Sequence, residues 1–493
     1  MNAPIVRIYV VILVLFAGLV GFTSYWAVFD AQSLKDNTLN RRPLIEQQTI
    51  RRGELLTADG QVIAQSTAQG GGANPVYVRS YPGKSLYGHP VGYSYVQVGQ
   101  SGVERSENDS LVGNTNEFSS ILDQLRGHAQ QGDNVTLTID SRIQKAAVDA
   151  LNAANADPSI SGTNGAGSVV AIDPRTGAIK AMASTPGFDP NAVANTSTFS
   201  QLSQEKGSPL FNRATQAGYP PGSTMKVVTA AAALDSGKFT PGTILSGASP
   251  QTIGGAPLTN AGGEQFGNID MTFALTNSVN TYFAQVGEKI GNFTMFQYMD
   301  RFGFDKDPAL DYPGDQMAPS GVYDPSGKLL GPSDAIDIGR VAIGQERLLV
   351  TPMQMAEVAA AVANGGVLER PMFVEKVTDA DGRTVSSLNP QAQSTVMKPQ
   401  TATELTDMMT KVTQEGTAAG LVVGGLPFAG KTGTAEIGDP AQGVNQPWFI
   451  GFAPATNPKI AVAATIERCT GCFGGQVAGP IAVKVMDAAL GTG

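Results

Sequence analysis

Residues 218–237 read GYPPGSTMKVVTAAAALDSG, and the rest of the chain is organised around them. Pro220, Pro221 and Gly222 break any preceding element, and the run that follows, Val227, Val228 and Ala230 to Leu234, is apolar almost all round. That pattern predicts a buried helix closed at Gly237. Ser223 and Lys226, three residues apart at its start, then face the same way. Such a pair at the mouth of a buried helix has two readings: a capping serine with a solvated lysine, or a nucleophile with its base. Spacing alone does not choose between them, because Ser203 and Lys206 repeat it inside a polar loop bounded by glycine and proline.

Two further signals lie downstream. Ser278 and Asn280 sit in LTNSVNTYFAQVG, where the serine enters another apolar helix, expected over Met271 to Ile290. Ser-x-Asn recurs at Ser106/Asn108 and Ser387/Asn389, so this pattern too is weak by itself. Lys431, Thr432, Gly433 and Thr434 lie in PFAGKTGTAEI, a glycine-bounded stretch with strand character, and Lys-Thr-Gly occurs nowhere else. The two histidines, His89 and His128, both fall in the first third of the chain and are read as surface residues, since neither has a second ligand pattern near it. The later part of the chain therefore cannot run a Ser-His-Asp triad, and no Gly-x-Ser-x-Gly elbow occurs. If Ser223 is a nucleophile, its base has to be a lysine.

At 493 residues and 42% apolar composition the chain can build several cores. A net charge of −9 without any Lys/Arg-rich block excludes a nucleic-acid partner. Residues 1–7 form a short head, and Ile8 to Phe29 carries no charge over 22 residues, about 33 Å as a helix, which suffices to cross a membrane. A cleaved signal peptide is the rival reading; the length of the run and the lack of a clear small-x-small site favour an uncleaved anchor. Residues 30–140 read as a β-rich pedestal, with a hairpin signal in Arg51 to Ala64 around Asp59-Gly60. Residues 141–493 read as an α/β domain. A helix capped by Asp140 and the hairpin SVVAIDPRTGAIKAMAS open it, helices over Ser223–Asp235, Met271–Ile290 and Pro352–Asn364 fill it, and strands over Trp448–Ala453 and Lys459–Glu467 close it. The economical architecture is one antiparallel sheet built from both sequence ends, with a helical cluster between them.

Cys469 and Cys472 are the only cysteines. Two thiols without a nearby histidine do not complete a zinc site, and no thioredoxin-like unit surrounds them. On the outside of a membrane they are expected to form a small-loop disulfide.

Taken in order, Ser-x-x-Lys, Ser-x-Asn and Lys-Thr-Gly-Thr resemble the three-motif set of penicillin-binding proteins and serine β-lactamases. The chain is similar over nearly its whole length to class B penicillin-binding proteins, most of all the actinobacterial penicillin-binding protein A group. The Arg-Gly-Glu-Leu-Leu hairpin, Ser101-Gly102-Val103-Glu104, the Ala-Ile-Asp-Pro-Arg-Thr-Gly turn and Gly344-Gln345 carry the likeness further. Glu346 departs from it, because many relatives have glycine there. The resemblance implies a peptidoglycan D,D-transpeptidase of the penicillin-binding fold, anchored in the cell membrane with its catalytic domain outside. It also implies acylation by β-lactams, D-Ala-D-Ala stem peptides as substrate, no cofactor or metal, and glycosyltransferase and other divisome or elongation proteins as partners. A D,D-carboxypeptidase, a membrane-bound β-lactam hydrolase or sensor, and a non-catalytic scaffold are the alternatives.

On that resemblance Ser223 is the nucleophile, Lys226 its base, and Ser278 and Lys431 the proton relay. Asn280 binds the substrate amide, and Thr432, Gly433 and Thr434 with Lys431 bind the terminal carboxylate. Lys226 would have to be neutral, a shift from about 10.4 towards 7 that disfavours its charged form by about 4 to 5 kcal/mol. Burial, the positive helix end and a second lysine all push that way.

Overall fold

The computed structural model describes residues 3–29, 41–70, 75–113, 131–438 and 442–492. Helix α1 (Ala3–Ser24) runs on into a π-helical turn over Tyr25–Phe29, and none of its residues is buried. It is long and apolar enough to cross a membrane.

The principal elements follow in order. The pedestal starts with β1 (Leu55–Leu56), β2 (Val62–Gln69), β3 (Val76–Ser80) and β4 (Asn134–Leu137). Next come α2 (Ser141–Ala156), with the Asp140 carboxylate accepting from the N–H groups of Arg142 and Ile143, and the hairpin β5 (Gly167–Ile172) and β6 (Ile179–Thr185). The helical cluster contains α3 (Lys226–Asp235), α4 (Met271–Thr276), α5 (Asn280–Ile290), α6 (Asn292–Arg301) and α7 (Pro352–Ala363). The chain finishes with β7 (Val374–Thr378), β8 (Thr384–Ser387), α8 (Pro399–Gln414), β9 (Ala429–Glu436), β10 (Val444–Ala453), β11 (Ile460–Ile466) and α9 (Ala478–Leu490).

The catalytic sheet has the order β9-β10-β11-β5-β6, with every neighbouring pair antiparallel. Every residue of β10 and β11 is buried, because α2 and α9 cover one face and α7 the other. Runs such as Ile460–Ile466 are therefore apolar but for Thr465 and do not alternate. The first and last strands of this sheet come from opposite ends of the sequence, with the helices between, as the sequence pattern predicts.

The pedestal sheet has the order β8-β7-β4-β1-β2-β3. Its outer pair, β7 and β8, comes from beyond residue 370 and pairs antiparallel with β4, Val374 opposite Leu137. The pedestal and the catalytic region are thus stitched by a returning hairpin as well as by chain continuity.

Three local expectations need correcting. Met271–Ile290 is not one helix: α4 ends at Thr276, Ser278 takes φ +58°, and α5 restarts at Asn280. A non-glycine residue in the left-handed region cannot continue an α-helix, and the break turns Ser278 inward. His89 is not at the surface. It is buried, with Nε2 2.8 Å from the Pro209 carbonyl and its ring edge-on to Phe188 at 5.3 Å, so cover from distant segments decides its environment. Burial lowers its pKa to about 4, which keeps the ring neutral. His128 lies outside the described residues. Ser203 belongs to a helix over Thr196–Gln204, exposed like Lys206, and this second Ser-x-x-Lys borders no buried pocket of amines.

Candidate active site

The sequence around Ser223 folds as a tight helical entry. Gly222–Met225 form a 3₁₀ turn that leads directly into α3, where every residue is buried. Gly222 has φ +52°, and a Cβ there would lie 2.8 Å from the carbonyl oxygen of Thr434. Its N–H donates to the carbonyl of Gly344 at 3.0 Å, and Gly344 is itself too close to Gly222 to carry a side chain. Two glycines thus allow the Ser223 turn to approach both the Lys-Thr-Gly strand and the 344–346 loop. Glu346 has φ +63°. That is the left-handed region, uncommon for a residue with a side chain, and Arg347 is ion-paired to Glu346 at 3.2 Å.

Lys226 and Lys431 are both fully buried. Lys226 Nζ lies 2.6 Å from the Ser278 carbonyl, 2.7 Å from Asn280 Oδ1, 3.0 Å from Ser223 Oγ and 3.3 Å from Ser278 Oγ. The two shortest contacts are to oxygens that can only accept. A neutral amine has two N–H donors and one lone pair, so donation to these two oxygens leaves the lone pair for the Ser223 hydroxyl. Burial, with the Lys431 amine as second cause, holds Lys226 well below the usual lysine range. Lys431 Nζ donates to Ser278 Oγ at 3.0 Å and to the Thr432 carbonyl at 3.0 Å, and burial lowers its pKa to about 7. Asn280 donates through Nδ2 to the Thr259 carbonyl at 3.1 Å, which orients its amide. Neither lysine has a carboxylate within ion-pair distance among the described residues.

The sequence-derived residues fall into two groups. Ser223, Lys226, Ser278, Asn280 and Lys431 form one continuous hydrogen-bonded set, and Thr434 passes beside Gly222 at its edge. The Thr432 hydroxyl instead bonds sideways to Thr417 Oγ1 at 2.6 Å, and a Cβ at Gly433 would meet the Pro221 carbonyl at 2.8 Å. Thr432 and Gly433 therefore set how closely β9 seats against the Ser223 turn. Cys469 and Cys472 are joined in a disulfide beside β10, where Cys472 O accepts from Asn445 Nδ2 at 3.0 Å, and beyond it Gly474 N–H donates to Thr434 Oγ1 of β9 at 3.2 Å.

Sequence reading missed three contributors. Trp448 Nε1 donates to the Pro220 carbonyl at 3.0 Å and fastens the Ser223 turn to β10, Thr417 holds Thr432, and Gly474 holds Thr434. Only Trp448 carried a signal, as one of two tryptophans, here placed on a strand next to the motif strand.

A hydrogen-bonded serine–lysine–serine–lysine set between a helical cluster and an antiparallel sheet defines a class of acyl-transferring serine enzymes. Residues 167–487 match the penicillin binding protein transpeptidase domain, and residues 52–135 match the penicillin binding protein A dimerisation domain. The chain belongs to the penicillin-binding protein transpeptidase family. It is 35% identical to the peptidoglycan D,D-transpeptidase PbpA of Mycolicibacterium smegmatis, with 100% of both chains covered. It is 34% identical to PbpA of Mycobacterium tuberculosis, with 99% of both covered. The solved structure of penicillin-binding protein A from M. tuberculosis as a ceftriaxone acyl-enzyme superposes with TM-score 0.80 at 33% identity, covering 90% of this chain and 100% of that one. The penicillin G acyl-enzyme of the same protein gives 0.77 at 33% identity, covering 89% and 99%.

Proposed function

We propose that this chain is a membrane-anchored peptidoglycan D,D-transpeptidase that works through a Ser223 acyl-enzyme and is acylated by β-lactams. The observation that carries the reading is the Lys226 amine, buried, without a carboxylate partner among the described residues and 3.0 Å from Ser223 Oγ. Lys226 takes the Ser223 proton as Oγ attacks the penultimate D-Ala carbonyl of a stem pentapeptide. The proton passes through Ser278 Oγ, which both lysines reach, to the departing D-Ala amine, leaving an ester on Ser223. An amine of a neighbouring stem then attacks that ester and closes the cross-link. Lys431 and Thr434 receive the terminal carboxylate, Asn280 the substrate amide, and the backbone N–H groups of Ser223 and Thr434 the oxyanion. Thr432 and Gly433 act by seating β9.

The anchor and the Cys469–Cys472 disulfide together support a catalytic region on the oxidising side of the cell membrane. The pedestal, residues 30–140 on the sequence reading, then acts as a spacer and a contact surface for a glycosyltransferase and other divisome or elongation proteins. Incubation with a thioester stem analogue and a D-amino acid tests the reaction. Exchange of the D-amino acid into product is expected, and hydrolysis without exchange would assign the chain to the carboxypeptidases instead.

A further inference from the structure

Residues 469–477, between β11 and α9, form a segment fastened at both ends. At its start Cys469 pairs with Asn445 of β10 and Thr470 with Val444, and Gly471 N–H donates to the Gly443 carbonyl at 2.9 Å. The Cys472 carbonyl accepts from Asn445 Nδ2 at 3.0 Å, and the Cys469–Cys472 disulfide closes this part. At the other end α9 begins at Ala478, so only residues 473–477 lie between the two anchors. Within them two glycines press onto the motif strand. A Cβ at Gly474 would lie 2.3 Å from the carbonyl oxygens of both Gly433 and Trp448. One at Gly475 would lie 2.5 Å from the Thr417 carbonyl and 3.4 Å from Thr432 Cγ2. That approach brings Gly474 N–H to 3.2 Å from Thr434 Oγ1.

A threonine hydroxyl accepts through its oxygen and has one proton to give. Gly474 N–H takes an acceptor position on Thr434 Oγ1, and the hydroxyl's own proton has no acceptor among the described residues. Thr434 is half-buried at the edge of the Ser223 set, with its backbone paired to Pro447 in the sheet. Strand pairing thus fixes where Thr434 sits, and Gly474 fixes which way its hydroxyl turns. We propose that the disulfide-closed turn is part of the carboxylate site: it holds the Gly474 N–H, which leaves the Thr434 proton for the terminal carboxylate of the substrate. The Thr434–carboxylate contact rests on the transpeptidase reading above. Gly474, Cys469 and Cys472 are therefore positioning residues, acting on the ligand through Thr434. A disulfide that only stabilised the fold would not distinguish one ligand from another. This one favours ligands that carry the carboxylate.

The test uses the full chain in detergent with penicillin G, whose ring carboxylate stands in for that of the stem, and with the methyl ester of penicillin G. Cys469→Ser/Cys472→Ser is expected to lower the second-order acylation constant for penicillin G at least tenfold, through weaker binding before acylation. The constant for the ester should fall less than threefold. Thr434→Val should show the same selective loss, and adding the serine pair to it should cost less than a further twofold, because the turn acts through that hydroxyl. If the serine pair does not fold, Asn445→Ala, which releases the Cys472 carbonyl with the disulfide in place, should give the same selectivity at threefold or more. An unchanged constant for penicillin G, equal losses for acid and ester, or full additivity with Thr434→Val would overturn the inference and leave the transpeptidase reading intact. Failure of the parent protein to be acylated at all would instead contradict that reading.

Discussion

The cleft and the pedestal each bury two cationic side chains against one another, and they solve the problem in opposite ways. In the pedestal, Arg52 and Arg79 cannot give up their protons, so Glu104 sits between them at 2.7 and 2.6 Å, itself fully buried. Burial alone would raise the Glu104 pKa, but Arg79 and Arg52 together hold it below the usual carboxylate range. In the cleft, Lys226 and Lys431 have no counter-ion among the described residues and meet hydroxyl and carbonyl oxygens instead, so burial holds Lys226 well below the usual lysine range and lowers Lys431 to about 7. Arginine with a carboxylate makes a fixed structural joint. Lysine without one makes a reactive base.

The largest expected effect removes that base. Lys226→Ala should slow acylation by fluorescent penicillin by roughly 10⁴-fold, as followed by gel fluorescence. The thermal midpoint should hardly fall, because the substitution removes a buried amine that burial disfavours. A loss below tenfold would mean that the amine is not the base.

Breaking the pedestal joint should do the reverse. Glu104→Gln leaves two guanidiniums buried with no anion and is expected to destabilise the fold by roughly 3 kcal/mol or more in urea denaturation. The acylation rate per folded molecule should stay within a few-fold of the parent. A stable Glu104→Gln protein would show that the arginines find water or another anion.

Glu357 sharpens the comparison with a third solution. It is buried in α7 with Oε1 unpartnered among the described residues, and burial raises its pKa to about 8. Between about 4.5 and 8 the native state keeps a proton that the unfolded chain has released, so stability falls as pH rises through that window. Glu357→Gln should therefore stabilise by roughly 2 to 4 kcal/mol at pH 8 and by little at pH 4.5, read from thermal midpoints at the two pH values. Equal shifts at both would show that the carboxyl is already ionised in the native state.

The smallest effect belongs to an exposed pair. Lys145 and Asp149 sit one turn apart on α2 with most of both side chains in water. Lys145→Ala should change the urea midpoint by under about 0.5 kcal/mol, since solvent screens the pair.

Much of the candidate site was legible in the sequence, because most of its motif residues lie where local pattern fixes them. Ser223 and Lys226 share a helix start, Lys431 to Thr434 lie on one strand, and the absence of late histidines leaves lysine as the base. What escaped depends on long-range cover. The left-handed Ser278 was hidden inside an apolar run that reads as one helix. His89 is buried by Phe188 and Pro209, about a hundred residues away, and no local signal marks that. Likewise, nothing in Val374–Thr378 announces that its partner is Asn134–Leu137, or that Arg52, Arg79 and Glu104 meet in space. Pairing between distant segments is a property of the fold, whereas capping, turns and periodicity are properties of the segment.

The account stands or falls on a proton leaving Ser223 for the amine of Lys226. Intact-mass and peptide-mapping mass spectrometry after treatment with penicillin G reads this directly. One penicilloyl adduct is expected, on the peptide carrying Ser223, with almost none in Lys226→Ala at the same exposure. An adduct on another residue, or equal labelling of the two proteins, would contradict it.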